Sequence, residues 1–174
     1  SAVFYKFGNV PSDITLAGAK VLQGKALSYN NMLDADAAWK SASDAFHSVS
    51  HLENRVAVSV IKHLNPCGLA VTGSIEESLE LAWAGDPVSA FGGIICFTGK
   101  VTKEIAEWFD KKFVEIIIAP EFSEGALEIF GKKKNLRLLE LPVKPEKTGE
   151  KVYRSISGGM LVKYEDEVMD CKFE

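Results

Sequence analysis

Four short apolar runs, at residues 56–62, 94–97, 114–120 and 136–141, are separated by stretches whose apolar residues recur at helical intervals. That alternation constrains the fold more than any other feature of the chain. Runs of this length, bounded by turn residues, suit strands buried on both faces. Strands alternating with helices require crossover connections, and crossovers give parallel neighbours with helices on both sides of the sheet. The expectation is a layered α/β domain around a sheet that is at least partly parallel.

The intervening segments supply the detail. Residues 16–23 read as a strand-like piece and Gly24-Lys25 as a break. A helical pattern then runs from about Leu33 through Ala37, Ala38, Ala42, Ala45 and Phe46, with Asp34 and Asp36 suited to the positive end of its dipole. Asn65-Pro66-Cys67-Gly68 reads as a sharp turn out of the strand at 56–62. Ser74-Ile-Glu-Glu77 has capping-box spacing, and Ile75, Leu79, Ala82 and Trp83 continue as a helix to the stop at Gly85-Asp86-Pro87. Val101, Ile105, Trp108 and Phe109 mark another helix, and residues 123–134 a further one with a lysine-rich last turn. Pro142-Val-Lys-Pro145 and Lys147-Thr-Gly149 read as a linker, and residues 155–164 as one added strand carrying Gly158-Gly159.

The 174 residues, 47% of them apolar, suffice for one well-cored domain. A net charge of -4 leaves no electrostatic footprint for nucleic acid, and the one dense basic run, Lys132-Lys133-Lys134, sits beside Glu128 and Glu140. No apolar stretch approaches the roughly 18 residues needed to cross a bilayer, and the first residues lack the regions of a signal peptide. Three widely spaced cysteines, Cys67, Cys96 and Cys171, suit a reducing compartment better than a disulfide framework. The expectations are a cytoplasmic protein, no membrane contact and no nucleic-acid partner.

Chemistry concentrates at Lys62-His63, where a buried strand ends on two adjacent titratable groups. Neighbours on a strand point to opposite faces, so the turn must re-aim one of them if both serve a single ligand. Lys62 suits electrostatic stabilisation of an anionic or oxyanionic group; the plain alternative is a lysine that snorkels to water. His63 suits general-base work near neutral pH, and its plain alternative is a structural histidine. Gly92 and Gly93, in Ser89-Ala-Phe-Gly-Gly93, either bring backbone amides against a ligand or form an ordinary turn. Glu115 interrupts an apolar run, where a carboxylate is costly unless paired; it either receives a ligand's amino group or sits at an exposed strand start.

Two residue pairs have spacing that suits metal ligands. His63 and Cys67 are four apart, as are His47 and His51, yet neither pair is completed by a second nearby pair. A zinc deaminase needs His-x-Glu and Pro-Cys-x-x-Cys segments, and neither is present. Walker-type phosphate loops, nucleophile elbows and dinucleotide fingerprints are also missing from the sequence.

Four segments taken together go further: Gln23-Gly-Lys-Ala-Leu-Ser-Tyr-Asn-Asn-Met-Leu-Asp-Ala-Asp-Ala-Ala-Trp39, Ile61-Lys-His-Leu-Asn-Pro-Cys-Gly-Leu-Ala70, Asp86-Pro-Val-Ser-Ala-Phe-Gly-Gly-Ile-Ile95 and Phe113-Val-Glu-Ile-Ile-Ile-Ala-Pro120. In order and spacing, along essentially the whole chain, they resemble the AICAR transformylase domains of the bifunctional purine biosynthesis enzymes. The resemblance implies a three-layer, cytidine-deaminase-like α/β/α fold with no zinc in this half. It also implies formyl transfer from 10-formyltetrahydrofolate, as co-substrate, to the 5-amino group of AICAR. In that reaction His63 matches the proton acceptor and Lys62 its cationic partner. Asn31, Gly92 and Glu115 match nucleotide-contacting positions.

The departures from the family pattern shape the expectation equally. An Arg-Tyr-Gly-x-Asn-Pro-His-Gln motif expected just before Ser1 is not in this sequence, nor is the second deaminase-like half that completes the nucleotide and folate sites. The IMP cyclohydrolase domain that precedes this region in the family is missing too. The chain is therefore expected to be the first half of the domain, inactive alone and part of a homodimer when complete. Two other readings stand beside it: a non-catalytic scaffold or dimerisation half of the same enzyme, and a degenerate zinc deaminase.

Overall fold

The computed structural model describes residues 2–6, 14–49, 51, 53–146 and 151–165, and in it the apolar runs form one six-stranded sheet. The strands are β1 (Lys20–Gln23), β2 (Val56–Lys62), β3 (Asn65–Thr72), β4 (Ile94–Phe97), β5 (Ile116–Ala119) and β6 (Arg137–Glu140), in the order β1-β6-β5-β4-β2-β3. β4, β5 and β6 are parallel, while β1, β2 and β3 join antiparallel. The parallel centre follows from α3 (Lys103–Trp108) and α4 (Glu124–Phe130), which carry the chain back to the same end of the sheet between those strands.

Side chains alternate along each strand, so the central strands bury both faces. On one face Ile61, Ile94, Cys96, Ile116, Ile118 and Leu139 meet Ala35, Ala38, Trp39 and Ala42 of α1 (Tyr29–Ser48). On the other, Val58, Val60, Ile95, Phe97, Ile117 and Leu138 pack with α2 (Ile75–Ala84), α3 and α4. Phe109 is the hub of that second layer: its ring lies 4.9 Å from Trp108, 6.0 Å from Phe130 and 6.4 Å from Phe97, centroid to centroid. Each such pair adds roughly 0.5–1.5 kcal/mol beyond area burial. The layered α/β reading of the sequence holds.

α1 starts earlier than its apolar period. Ser28 Oγ accepts from the Asn31 backbone N–H at 3.2 Å, and Asn31 Oδ1 accepts from the Ser28 N–H at 3.1 Å, a reciprocal cap with asparagine in the usual place of glutamate. Asp34 and Asp36 consequently lie beyond the first turn, and Asp36 pairs with Lys40 at 3.0 Å. Ser28→Ala is expected to cost about 1 kcal/mol, read as a lower urea midpoint at unchanged slope.

Four further expectations give way. β2 does not leave through Asn65-Pro66-Cys67-Gly68; it reverses at His63-Leu64, with φ of +51° and +63°, and Asn65–Thr72 returns beside it as β3. Two left-handed residues give the type I′ geometry whose twist suits a hairpin, but its usual sequence is Asn-Gly, so His-Leu concealed it. Pro66 is tolerated because β3 is an outer strand and its register with β2 shifts beside that proline. Residues 155–164 are not one strand: the chain forms a separate hairpin of β7 (Lys151–Ile156) and β8 (Gly159–Tyr164), turning at Ser157-Gly158, with every strand residue exposed.

The segment 142–145 is laced to α1 rather than loose. Trp39 Nε1 donates to the Pro142 carbonyl at 2.8 Å, and the Lys144 N–H to Ser43 Oγ at 3.0 Å. The Lys144 side chain is buried between Asp44 and Glu165, at 3.3 and 3.1 Å. The linker expected at Lys147-Thr-Gly149 lies outside the described residues. Lysines 132–134 follow the end of α4 instead of forming its last turn, and Lys133 Nζ donates to the carbonyls of Phe109 and Asp110.

Candidate active site

β2 runs antiparallel to β4, so its carboxyl end lies where β4, β5 and β6 begin. That edge of the sheet collects the candidate residues. Lys62 closes β2 half-buried, and its Nζ donates to the Phe91 carbonyl at 2.7 Å. The ammonium is thus held on the loop before β4 rather than left to water. His63 takes the first left-handed step of the hairpin, which removes it from the strand's alternation. It is exposed, and its ring has no hydrogen-bond partner among the described residues.

Gly92 has φ of +73°, a left-handed conformation that suits glycine, and its N–H donates to the Phe113 carbonyl at 2.8 Å. Two residues on, the Glu115 N–H returns to the Gly93 carbonyl at 3.0 Å. Glu115 stands just ahead of β5 instead of inside a strand, and its side chain stays partly exposed. Its Oε2 accepts from Asn31 Nδ2 at 2.9 Å, and Arg137 Nη1 lies 3.9 Å away. Asn31 is buried, and its single amide serves both the helix cap and Glu115.

These contacts close a circuit. Three residues along α1 from Asn31, on the same helix face, Asp34 Oδ1 accepts the Leu64 N–H at 2.8 Å and Oδ2 the His63 N–H at 3.3 Å. α1 thereby holds Glu115 with one residue and the His63 turn with another. Lys62 holds the loop at Phe91, and Gly92 holds the segment that leads into Glu115. All five candidate residues belong to one contiguous patch.

Sequence reasoning missed two members of it. By sequence Asp34 suits only the helix dipole, whereas its hydrogen bonds run to another element. Arg137 had no sequence signal, because its approach to Glu115 depends on the pairing of β6 with β5.

The loop at 86–93 is fixed by Asp86, whose carboxylate accepts from the Ser89 hydroxyl at 2.6 Å and the Ser89 N–H at 2.9 Å; these bonds hold it below the ordinary carboxylate range. Burial pushes the Cys67 thiol up, Asp86 adds to that, and the Lys62 ammonium opposes it. Cys96, fully buried, is driven up by desolvation alone. Both cysteines are therefore poor nucleophiles. His47 Nε2 meets the Lys144 carbonyl at 2.6 Å, and among the described residues no three of His, Cys, Asp and Glu gather as ligands for an ion.

A shallow cavity of about 360 Å³, lined by residues 110–114 and 133–136, opens beside the patch. Phe113 forms part of its wall and packs on the exposed Phe91 ring at 5.3 Å. A fixed ammonium, an unencumbered imidazole, an anchored carboxylate and a close-approach backbone form a set able to orient a flat polar ligand and move a proton on it.

Comparison with known proteins covers nearly the whole chain. The sequence profile of the AICARFT/IMPCHase bienzyme matches residues 1–173. The bifunctional purine biosynthesis protein PurH of Lactococcus lactis subsp. cremoris (strain MG1363) is 42% identical over 98% of this chain and 32% of its own length. PurH of Staphylococcus carnosus (strain TM300) is 46% identical over 95% of this chain and 31% of its own, and that of Leptospira biflexa serovar Patoc (strain Patoc 1 / Ames) 50% identical over 84% and 27%. The chain spans about a third of the length of the curated relatives it matches. Among solved structures, a Desulfotalea psychrophila chain described as a formate dehydrogenase accessory protein overlays with a TM-score of 0.47 and 10% identity, over 76% of this chain and 54% of that one.

Proposed function

Because the chain belongs to the AICARFT/IMPCHase bienzyme family, we propose that it supplies the first half of an AICAR transformylase site in de novo purine synthesis. The observation that carries this reading is the circuit joining Lys62, His63, Gly92, Glu115 and Asn31 at one sheet edge. In this proposal the layered sheet is a zinc-free, cytidine-deaminase-like half, residues 1–174, that works in the cytoplasm. A second half and a second subunit of a homodimer complete the site.

The chemistry follows from the substrate. The 5-amino group of AICAR is a weak nucleophile, since its lone pair is delocalised into the imidazole. His63 takes its proton as the nitrogen attacks the formyl carbon of 10-formyltetrahydrofolate. The Lys62 ammonium stabilises the oxyanion that forms. The new C–N bond stays, the bond to N10 of the folate breaks, and His63 returns the proton to N10, giving FAICAR and tetrahydrofolate. Asn31, Gly92 and Glu115 contact the nucleotide, with Glu115 placed to accept from an amino group.

The test is AICAR-dependent release of tetrahydrofolate by a polypeptide in which this chain is extended to the length of its PurH relatives. Turnover is expected there, and none from the chain alone. Neither turnover nor saturable AICAR binding in the extended polypeptide would replace this reading with that of a scaffold or dimerisation half.

A further inference from the structure

We infer that Asp34 is a positioning residue that holds His63 in its working place; the functional side of this rests on the formyl-transfer reading above. The starting point is a turn whose own sequence does not support it. His63 and Leu64 are both left-handed, a conformation in which an L side chain crowds the following carbonyl. Asn-Gly hairpins avoid that crowding, and His-Leu does not. Inside the hairpin Asn65 Nδ2 donates to the His63 carbonyl at 2.8 Å, which leaves both left-handed amides to be held by a contact from outside it.

Asp34 provides that contact with a single side chain. One carboxylate oxygen accepts from each of the two left-handed residues, at 2.8 Å from Leu64 N and 3.3 Å from His63 N. Hydrogen bonds to an ionised acceptor are stronger than neutral ones, and two of them converging on adjacent amides fix the peptide plane between them. The helix that carries Asp34 is itself fixed against the sheet by Ala35, Ala38, Trp39 and Ala42. One turn earlier the same helix holds Glu115 through Asn31. α1 therefore sets the spacing between the imidazole and the carboxylate, and Asp34 takes part in this through the His63 turn rather than through a substrate.

The experiment separates this role from helix stability. In the full chain, Asp34→Ala should raise amide exchange at His63 and Leu64 about tenfold and shift their φ-dependent couplings. Adding Leu64→Gly should restore the turn, because glycine takes the left-handed conformation without steric cost. A defect in α1 would not be rescued by a glycine in a different element. Where Asp34→Ala does not fold, Asp34→Asn serves instead, keeping one acceptor oxygen and losing the charge.

In the extended polypeptide, Asp34→Ala should lower kcat roughly tenfold with the KM for AICAR unchanged within about twofold, and Leu64→Gly should recover most of the loss. Unaltered couplings and exchange in Asp34→Ala would overturn the inference, as would a restored turn with kcat still low. Undiminished turnover by His63→Ala would remove the base role of His63 while leaving the turn measurements standing, so the two ideas fail separately.

Discussion

Gly68→Ala is expected to cost at least about 3 kcal/mol, the upper end of ordinary overpacking, or to prevent folding altogether. A Cβ on Gly68 would sit 1.8 Å from the Ala82 carbonyl oxygen and 2.8 Å from its carbon. Those are backbone atoms near the end of α2, so no side chain can rotate away. The opposite side of the contact is equally bare: a Cβ on Gly85 would come within 2.6 Å of the Cys67 carbonyl oxygen. β3 and α2 thus touch backbone to backbone, and alanine would have to push the helix off the sheet, loosening Leu79 and Ala82 in the core. Urea unfolding followed by tryptophan fluorescence reads the effect. Gly73→Ala, with nothing within 4 Å of its added methyl, is the control and should change little. An unchanged midpoint for Gly68→Ala would show that β3 and α2 are not in this contact.

His63→Ala should lower the kcat of the extended polypeptide by about 10²–10⁴-fold, the usual contribution of a positioned general base. The KM for AICAR should move little, since the imidazole acts on a proton in flight rather than on bound substrate. Unfolding is not an alternative explanation. His63 is exposed, its ring has no hydrogen-bond partner among the described residues, and its backbone bond to Asp34 survives the substitution. The stability read from urea unfolding should stay within about 0.5 kcal/mol of the parent's, as for other surface changes. Full turnover in His63→Ala would end its assignment as the base.

The outcomes for particular residues show where sequence reading works. The strands at 56–62 and 94–97 and the helix from Ile75 were legible with their bounds nearly right, because periodicity and turn residues report on a segment's own surroundings. The Ser28 cap was missed because asparagine replaces the usual glutamate three residues on. β3 was missed because a proline and a glycine early in a segment resemble a turn, and only the edge position of that strand makes them tolerable. The two-stranded tail reads as one strand because its first half, Lys151-Val-Tyr-Arg-Ser-Ile156, follows closely on Lys147-Thr-Gly149 and has no strict apolar-polar alternation.

By itself, then, the sequence determined the layered α/β class, the family resemblance and the residues worth watching, since these depend on local period and on motifs read along the chain. Tertiary structure decided how the residues are used. Asn31 and Glu115 stand 84 positions apart and meet only because α1 lies over the starts of the parallel strands. Asp34 became the anchor of the His63 turn, Arg137 the neighbour of Glu115, and Gly68 a point where two backbones touch. The physical reason is the same in each case: a helix or strand advertises its buried face locally, whereas a hydrogen bond or a close approach belongs to two segments that only packing brings together.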